Sequence, residues 1–194
     1  MINLFDACSI KHGFCFTSVD DYIDTVKSYC DSGVQIAISD EIQKELYPTI
    51  SLSEKDPVKY EVANSIHLHT ELLIKAQKLK VICVSDDAHI KENYMRTRKD
   101  HYSWMTDPAF CMRLIRQGRL SEPDYRSNGF RYKDVGECSL IAIALTNIND
   151  YIIVSEDKGR VYCHPDINIF NCYREKGVII IKYIDWVRTS VVPA

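Results

Sequence analysis

The sequence lacks the features that identify secreted, membrane-bound or zinc-binding proteins. No apolar run approaches the roughly 20 residues that cross a membrane, and the N-terminus lacks the basic start and long apolar stretch of a signal peptide. The eight cysteines never form a C-x-x-C pair or stand near a zinc-spaced pair of histidines, so neither a zinc site nor a thioredoxin-like motif is indicated. We therefore expect a cytoplasmic protein with reduced cysteines and no membrane partner.

Linkers and strong charge are also missing. No stretch rich in Gly, Pro or Ser divides the chain, and 194 residues are enough to bury one well-formed core, so we expect a single domain over 1–194. The net charge of -3 is too small to indicate a membrane surface or a nucleic acid as a partner. Any such partner has to be inferred from a local patch.

Short apolar runs alternate with longer helix-like segments, which is the pattern of an α/β fold with a mostly parallel sheet. The predicted strands are INLF, VQIAIS, KVICVS, YIIVS and GVIIIKY. Helices are predicted over 18–33, after the N-cap Ser39, from Pro57 to Lys78, around 86–100 and 107–118, and over DVGECSLIAIAL. A polar loop that contains Pro123 and Gly129 is predicted before the last of these helices.

Acidic residues stand at the carboxyl ends of the predicted strands or at the start of a helix, on four separate segments. They are Asp6, then Asp40, Glu41 and Glu45, then Glu137, and finally Glu156 and Asp157. In an open parallel sheet these loops and helix starts gather at one edge, where ligands bind. Like charges repel there unless a cation neutralises them, and Mg²⁺ and Mn²⁺ prefer oxygen ligands.

Each acid also has a simpler interpretation. Asp134 and Glu137 form a D-x-x-E pattern that is typical of a capping box, and Asp40 and Glu41 could serve only the dipole of their helix. Because four segments direct an acid to the same edge, we favour a metal site.

At these residues the chain resembles a PIN-domain nuclease. NLFDACSI is similar to the family's opening strand, SDEIQKEL to its second motif, DVGECSLIAIAL to the G-E-x-x-x-I-A-x-A pattern of one branch, and IIVSEDKGR to that branch's last signature. The resemblance gives the catalytic and metal-binding roles to four acids, Asp6, Glu45, Glu137 and Asp157, with Glu41 as the alternative to Glu45. The family commonly has Ser, Thr or Asn where this chain has Cys8, and Ser9 could supply that hydrogen bond instead.

Three further residues follow the fourth strand. Glu156, Lys158 and Arg160 are candidate supporting residues, and the two cations could contact the scissile phosphate or only pair with neighbouring acids.

The resemblance implies a three-layer α/β/α sandwich with a central, mostly parallel sheet of about five strands. The segment at about 86–133 matches no pattern of the family, and we expect it to be a helical insertion in this fold. It implies an endoribonuclease that uses Mg²⁺ or Mn²⁺, leaves 5′-phosphate and 3′-hydroxyl ends, and acts as the toxin or effector of a toxin–antitoxin or defence system. The implied partners are RNA, single-stranded or structured, an antitoxin or regulatory protein, and a second copy in a homodimer.

The segment 86–133 is rich in basic and aromatic residues, a composition typical of surfaces that bind single-stranded RNA. The candidate RNA contacts are Arg96, Arg98, Lys99, Arg113 and Arg116, which could equally form a solvated helix face.

Two other function classes remain open. One is an inactive PIN-like module that binds RNA or protein, but a module freed from metal binding has no reason to keep mutually repelling acids at all four positions. The other is a Mg²⁺-dependent phosphatase or receiver domain. It is disfavoured because Asp6 begins no D-x-D motif and because the paired acids come late in the chain.

Overall fold

The computed structural model describes residues 1–16 and 33–190, without the side chains of residues 12–16, 165 and 190. Strands lie at Ile2–Phe5 (β1), Gln35–Ser39 (β2), Leu79–Ile82 (β3), Tyr151–Val154 (β4), Arg160–Val161 (β5), His164–Asn168 (β6) and Ile179–Ile181 (β7). Helices lie at Ala7–Phe16 (α1), Asp40–Glu45 (α2), Ile50–Lys55 (α3), Pro57–Lys75 (α4), Ala88–Tyr102 (α5), Pro108–Arg116 (α6), Glu122–Arg126 (α7), Val135–Ala144 (α8), Ile169–Arg174 (α9) and Tyr183–Ser190 (α10). Short 3-10 turns occupy Ser103–Thr106 and Gly129–Tyr132.

Five parallel strands form the central sheet in the order β3–β2–β1–β4–β7, and helices flank it. The predicted three-layer α/β/α sandwich is therefore confirmed. Because β1 lies in the middle, its end is adjacent to the ends of β2 and β4. All five strands were predicted from their short apolar runs. In the three inner strands these side chains form the core, as Leu4, Ile38 and Ile153 show with 0 % exposed.

Helix α8 lies in the middle of the protein, between the sheet and α5. Every residue from Cys138 to Ala144 is buried, which confirms the prediction that this helix is apolar over much of its circumference. Since both of its sides are covered, its first turn is held at a fixed position above the ends of the strands.

The segment 86–133 contributes to this packing. Helix α5 contacts α8 along its length: the Asn93 amide donates to the carbonyl of Ala142 at 3.3 Å, and the buried Thr97 hydroxyl lies 3.0 Å from that of Tyr173. The predicted helices of this segment are present as α5 and α6. The prediction of a loop around Pro123 was wrong, because Pro123 lies in the first turn of α7, where a helix tolerates proline.

Other elements had not been predicted. They are α1, α3, α9, α10 and the antiparallel pair β5–β6. The predicted helix over 18–33 lies almost entirely outside the described residues. Within the ranges 1–16 and 33–190, no helix has both the length and the apolar character that crossing a bilayer would require.

Candidate functional site

Asp6 lies directly after β1 and is buried, with 2 % of its surface exposed. Its N–H donates to the carbonyl of Val154 at 3.1 Å, so the pairing of β1 with β4 extends to this residue. Its Oδ1 accepts from the Ser9 N–H at 2.5 Å, and its Oδ2 accepts from the Ser155 hydroxyl. Burial raises the pKa of Asp6, the hydrogen bonds from Ser155 and Ser9 oppose this rise, and the charge of Asp157 adds to it.

Ser155 connects two of the predicted acids. It is 3 % exposed, and its Oγ donates to Asp6 while accepting from the Asp157 N–H at 3.0 Å. Sequence reasoning had missed Ser155, although its position directly after a buried strand was a usable signal. The predicted support from Ser9 comes through its backbone N–H, because its hydroxyl donates to the carbonyl of Val154 at 3.0 Å.

Asp157 lies beyond Ser155 and is exposed. Its Oδ1 accepts from the Gly159 N–H at 2.6 Å, which fixes the turn after β4. The side chain of the neighbouring Glu156 makes a different contact. Its Oε1 accepts from the N–H of Tyr183, the first residue of α10, at 2.9 Å. Glu156 therefore supports a helix start, whereas Asp157 lies close enough to Asp6 to influence its charge.

Glu45 is the second predicted acid. As a residue it is exposed, but its carboxyl lies against the start of α8, where Oε1 accepts from the Gly136 N–H at 3.2 Å. Gly136 permits this approach, since a Cβ there would lie 2.7 Å from Glu45 Oε1 and 2.5 Å from Cδ1 of the buried Ile42. Glu41, the alternative, instead pairs with Lys44 at 2.7 Å.

Partial burial raises the pKa of the Glu45 carboxyl. The Gly136 N–H and Lys11 lower this pKa, whereas the charges of Asp6 and Asp134 raise it further.

Two serines hold α2 and α8 together beside this contact. The Ser39 Oγ accepts from the Ile42 N–H at 3.1 Å, which confirms Ser39 as the N-cap of α2. The same Oγ lies 2.6 Å from the hydroxyl oxygen of Ser139, and both residues are fully buried. The position of Glu45 beside α8 is thus set by the core rather than by the surface.

Glu137, in the first turn of α8, is half-buried, and its pKa is raised to about 8. Burial is the largest cause, and the negative charges of Glu45, Asp134 and Asp157 raise the pKa further, while a backbone hydrogen bond lowers it. Glu137 therefore lies within electrostatic range of acids from two other segments of the chain, α2 and the turn after β4.

Asp134 does not cap α8, so the capping-box interpretation of D-x-x-E fails for this residue. Its backbone is in the left-handed region, with φ of 56°, and its side chain makes no capping bond. Instead its Oδ2 accepts from the Tyr102 hydroxyl and from the Tyr162 N–H, each at 2.8 Å. Burial raises the pKa of Asp134. This residue is a fifth carboxylate near Glu137, and it had not been predicted as a site residue.

Arg98, one of the predicted RNA contacts, also makes contacts within the protein. Its guanidinium donates to the carbonyls of Arg131 and Lys133, each at 2.8 Å, and lies 4.3 Å from the ring centre of Tyr102. These contacts hold the segment that leads into α8. Arg98 is half-buried, and its contact with RNA stays a prediction.

The other predicted cations are exposed. Arg96 donates to Asn93 within its own helix at 2.6 Å, and the Arg113 guanidinium lies 4.6 Å from the ring centre of Phe110. The exposed cations are Arg96, Lys99, Arg113, Arg116, Lys158 and Arg160. Among the side chains that the structure describes, neither Lys158 nor Arg160 forms an ion pair.

We call the five carboxylates Asp6, Glu45, Asp134, Glu137 and Asp157 the acidic edge. Two contacts between distant segments assemble it. Asp6 contacts Ser155, which stands two residues before Asp157, and Glu45 contacts Gly136, which directly precedes Glu137. Its donor atoms are carboxylate oxygens, the kind that Mg²⁺ and Mn²⁺ prefer. As the described side chains stand, no three of the His, Cys, Asp and Glu residues are arranged to hold a metal ion.

Comparison of the chain with models of known protein families, with curated proteins and with solved structures gives no match. The chemistry of the acidic edge therefore has to be inferred from its own residues.

Proposed function

We propose that the chain is a metal-dependent endoribonuclease whose active site is the acidic edge. The assembly of acids from four distant segments by the Asp6–Ser155 and Glu45–Gly136 contacts carries this proposal. The resemblance of the same segments to PIN-domain nucleases supports it as well.

The electrostatics of the acidic edge favour a role in binding a cation. Burial and mutual repulsion raise the pKa values of Asp6, Glu45 and Glu137, so ionising them costs folding free energy. Among the described residues, no Lys or Arg forms an ion pair with any of the three. An arrangement that costs stability and serves no internal ion pair is what a site for an external cation requires.

Carboxylates of Asp6, Glu45, Glu137 and Asp157 would hold one or two ions. When bound, Mg²⁺ or Mn²⁺ lowers the pKa of a bound water and stabilises the charge on the phosphate and the leaving oxygen. The protein's own contribution begins with Asp6, whose two oxygens are fixed by Ser9 and Ser155, so that its remaining lone pairs keep one direction.

In the metal-free protein, burial and the neighbouring acids raise the pKa of Glu137 to about 8, and a cation held by this carboxylate would offset that repulsion. In the hydrolysis, water supplies the oxygen of the new 5′-phosphate, the bond between phosphorus and the 3′ oxygen breaks, and a proton of the water passes to that 3′ oxygen. The products then carry a 5′-phosphate and a 3′-hydroxyl.

The substrate and partners belong to the same proposal. RNA is the proposed substrate, with Arg96, Lys99, Arg113 and Arg116 as exposed candidates for contacts to its phosphates. An antitoxin or regulatory protein stays a prediction of the resemblance.

A second candidate is an inactive PIN-like module that binds RNA or protein. The observation that favours it is that no three acids among the described residues are arranged to hold an ion.

Incubation with a pool of single-stranded RNA separates the two candidates. The native protein, the Asp6→Asn plus Asp157→Asn variant and a Glu92→Gln control are each supplied with Mn²⁺, Mg²⁺ or EDTA, and the product ends are sequenced. We expect metal-dependent cuts with 5′-phosphate ends from the native protein and the control, and none from the double variant. RNA binding without cleavage by the folded native protein would support the inactive module.

A further inference from the structure

Asp134 has a backbone conformation that its neighbours in the chain do not explain. Its φ of 56° lies in the left-handed region, which costs free energy for every residue except glycine. A capping bond to α8 would offset that cost, but the side chain makes none. Its hydrogen bonds run instead to residues far away in the sequence. A strained residue that is held by distant partners is a candidate for a functional role.

Tyr102, the last residue of α5, holds the side chain of Asp134. Its hydroxyl donates to Asp134 Oδ2 at 2.8 Å, and the residue is 3 % exposed. Arg98, four residues earlier on the same helix, lies 4.3 Å from the centre of the Tyr102 ring. The Arg98 guanidinium donates to the carbonyl of Lys133, the residue before Asp134. The segment 86–133 therefore holds both the side chain of Asp134 and the backbone that leads into it.

The two carboxylate oxygens of Asp134 have different surroundings. Oδ2 accepts two hydrogen bonds, from the Tyr102 hydroxyl and from the Tyr162 N–H. Burial raises the pKa of Tyr102, so its hydroxyl keeps the proton that it donates. Within the part of the chain that the structure describes, Oδ1 accepts no hydrogen bond. One oxygen is thus fixed in place, and the other keeps its lone pairs for a ligand.

Asp134 lies within electrostatic range of three of the proposed metal-binding acids. Its charge raises the pKa of both Glu45 and Glu137, and the charge of Asp157 raises the pKa of Asp134. Burial is the largest cause of the raised pKa of Asp134, while its two hydrogen bonds and the charge of Arg98 favour the ionised form. An ionised carboxylate among these acids supplies an oxygen of the kind that Mg²⁺ and Mn²⁺ prefer.

We infer that Tyr102 is a positioning residue of the acidic edge, which holds Asp134 so that its Oδ1 serves as a further ligand of the cation. The inference rests on the proposed function, and it gives the segment 86–133 a part in the site. Partners that orient a metal ligand through hydrogen bonds contribute roughly ten- to a hundredfold to metal affinity or activity. Because Tyr102 supplies only one of two donors to Oδ2, we expect the lower end of this range.

Titration calorimetry with MnCl₂ tests the inference on the native chain, Tyr102→Phe, Asp134→Asn, the double variant and a Tyr94→Phe control. Tyr102→Phe should weaken Mn²⁺ binding about tenfold, and Asp134→Asn at least as much. Asn can still accept from both donors and tolerates the left-handed region, so this variant removes the charge and keeps the conformation. The double variant should bind no more weakly than Asp134→Asn, because Tyr102 acts through Asp134.

Tyr94→Phe is the matched control, because it removes a hydroxyl from the same helix. Within the described part of the chain this hydroxyl makes no hydrogen bond, and we expect native affinity. Thermal melting in EDTA establishes that each variant is folded, and Asp134→Asn decides the outcome if Tyr102→Phe is not. In the cleavage assay, Tyr102→Phe should regain the native rate at saturating Mn²⁺ with an unchanged KM for RNA. A purely structural role would not produce this recovery.

The outcomes separate this inference from the proposed function. Native Mn²⁺ affinity in folded Tyr102→Phe or Asp134→Asn would overturn the inference alone. A double variant that binds about tenfold more weakly than Asp134→Asn would also overturn it, since Tyr102 would then act by another route. Weakened Mn²⁺ binding in both variants of a native chain that cuts no RNA would support the inference and refute the nuclease. A native chain that binds no Mn²⁺ would overturn both.

Discussion

Replacing Glu137 by Gln should stabilise the metal-free protein above neutral pH. In the folded protein, burial and the charges of Glu45, Asp134 and Asp157 hold the pKa of Glu137 at about 8, against an ordinary value of 4.5. Below pH 4.5 the carboxyl is protonated whether the chain is folded or not, so its charge costs nothing. As the pH rises to about 8 the unfolded chain releases the proton and the folded chain retains it, so folding stability falls. Gln keeps the shape and removes this loss.

The size of the effect follows from the same two values. A pKa that moves from 4.5 to about 8 on folding costs at most about 5 kcal/mol once the pH exceeds both. Water still reaches part of the Glu137 side chain and screens the charge, so we expect about 2 kcal/mol. For a chain of 194 residues this is a rise in Tm of about 4–8 °C at pH 8.5.

Urea and thermal unfolding in EDTA between pH 4 and 9 measure the difference between the two proteins. The profiles of the native chain and of Glu137→Gln should separate steadily from pH 4.5 and run parallel again above pH 8. Glu92→Gln, on the exposed outer face of α5, is the matched control and should follow the native profile. Profiles that stay parallel across the whole range would refute the assignment of Glu137 to a partly buried site next to other negative charges.

Three further substitutions test the contacts around the acidic edge. Gly136→Ala should lower the free energy of unfolding by about 1–3 kcal/mol and separate Glu45 from α8, because the added Cβ would overlap both Ile42 and the Glu45 carboxylate; urea unfolding measures the loss. Ser155→Ala should cost about 1–3 kcal/mol in the same assay, because it leaves a buried oxygen of Asp6 without its donor. Arg98→Lys should lower Tm by several degrees, since an ammonium cannot reproduce the paired bonds of the guanidinium to two carbonyls.

The sheet could be predicted from the sequence because its strands are short apolar runs, and the inner strands β2, β1 and β4 bury most of their side chains. The same holds for α8, which is apolar around most of its circumference. The β5–β6 pair was not predictable in this way. It is short and polar, contains an irregularity at Arg160 and Val161, and its connection depends on Cys163 with φ of 61°. No periodic pattern of apolar residues in the sequence predicts such an element.

The acidic edge was predicted in position but not in detail. The end of a parallel strand predicts where Asp6 and Asp157 lie, whereas Glu45, whose carboxyl lies at the start of α8, came from the resemblance to the family's second motif. Asp134 was missed because its partners, Tyr102 and Tyr162, are distant in sequence.

Arg98 was assigned to the surface on composition. Arg98 stands four residues from both Tyr94 and Tyr102 on α5, and this spacing places it on their packed side of the helix.

The most direct test of the central claim is the rate at which the protein cleaves a labelled single-stranded RNA pool in Mn²⁺ under single-turnover conditions. The rates of Asp6→Asn, Asp157→Asn and the double variant are compared with the native rate. If the acids act as one site, each single variant should lose at least about a hundredfold, and the double variant should lose little more than either. Native cleavage that persists in EDTA, or a double variant that cleaves as fast as the native chain, would contradict the account.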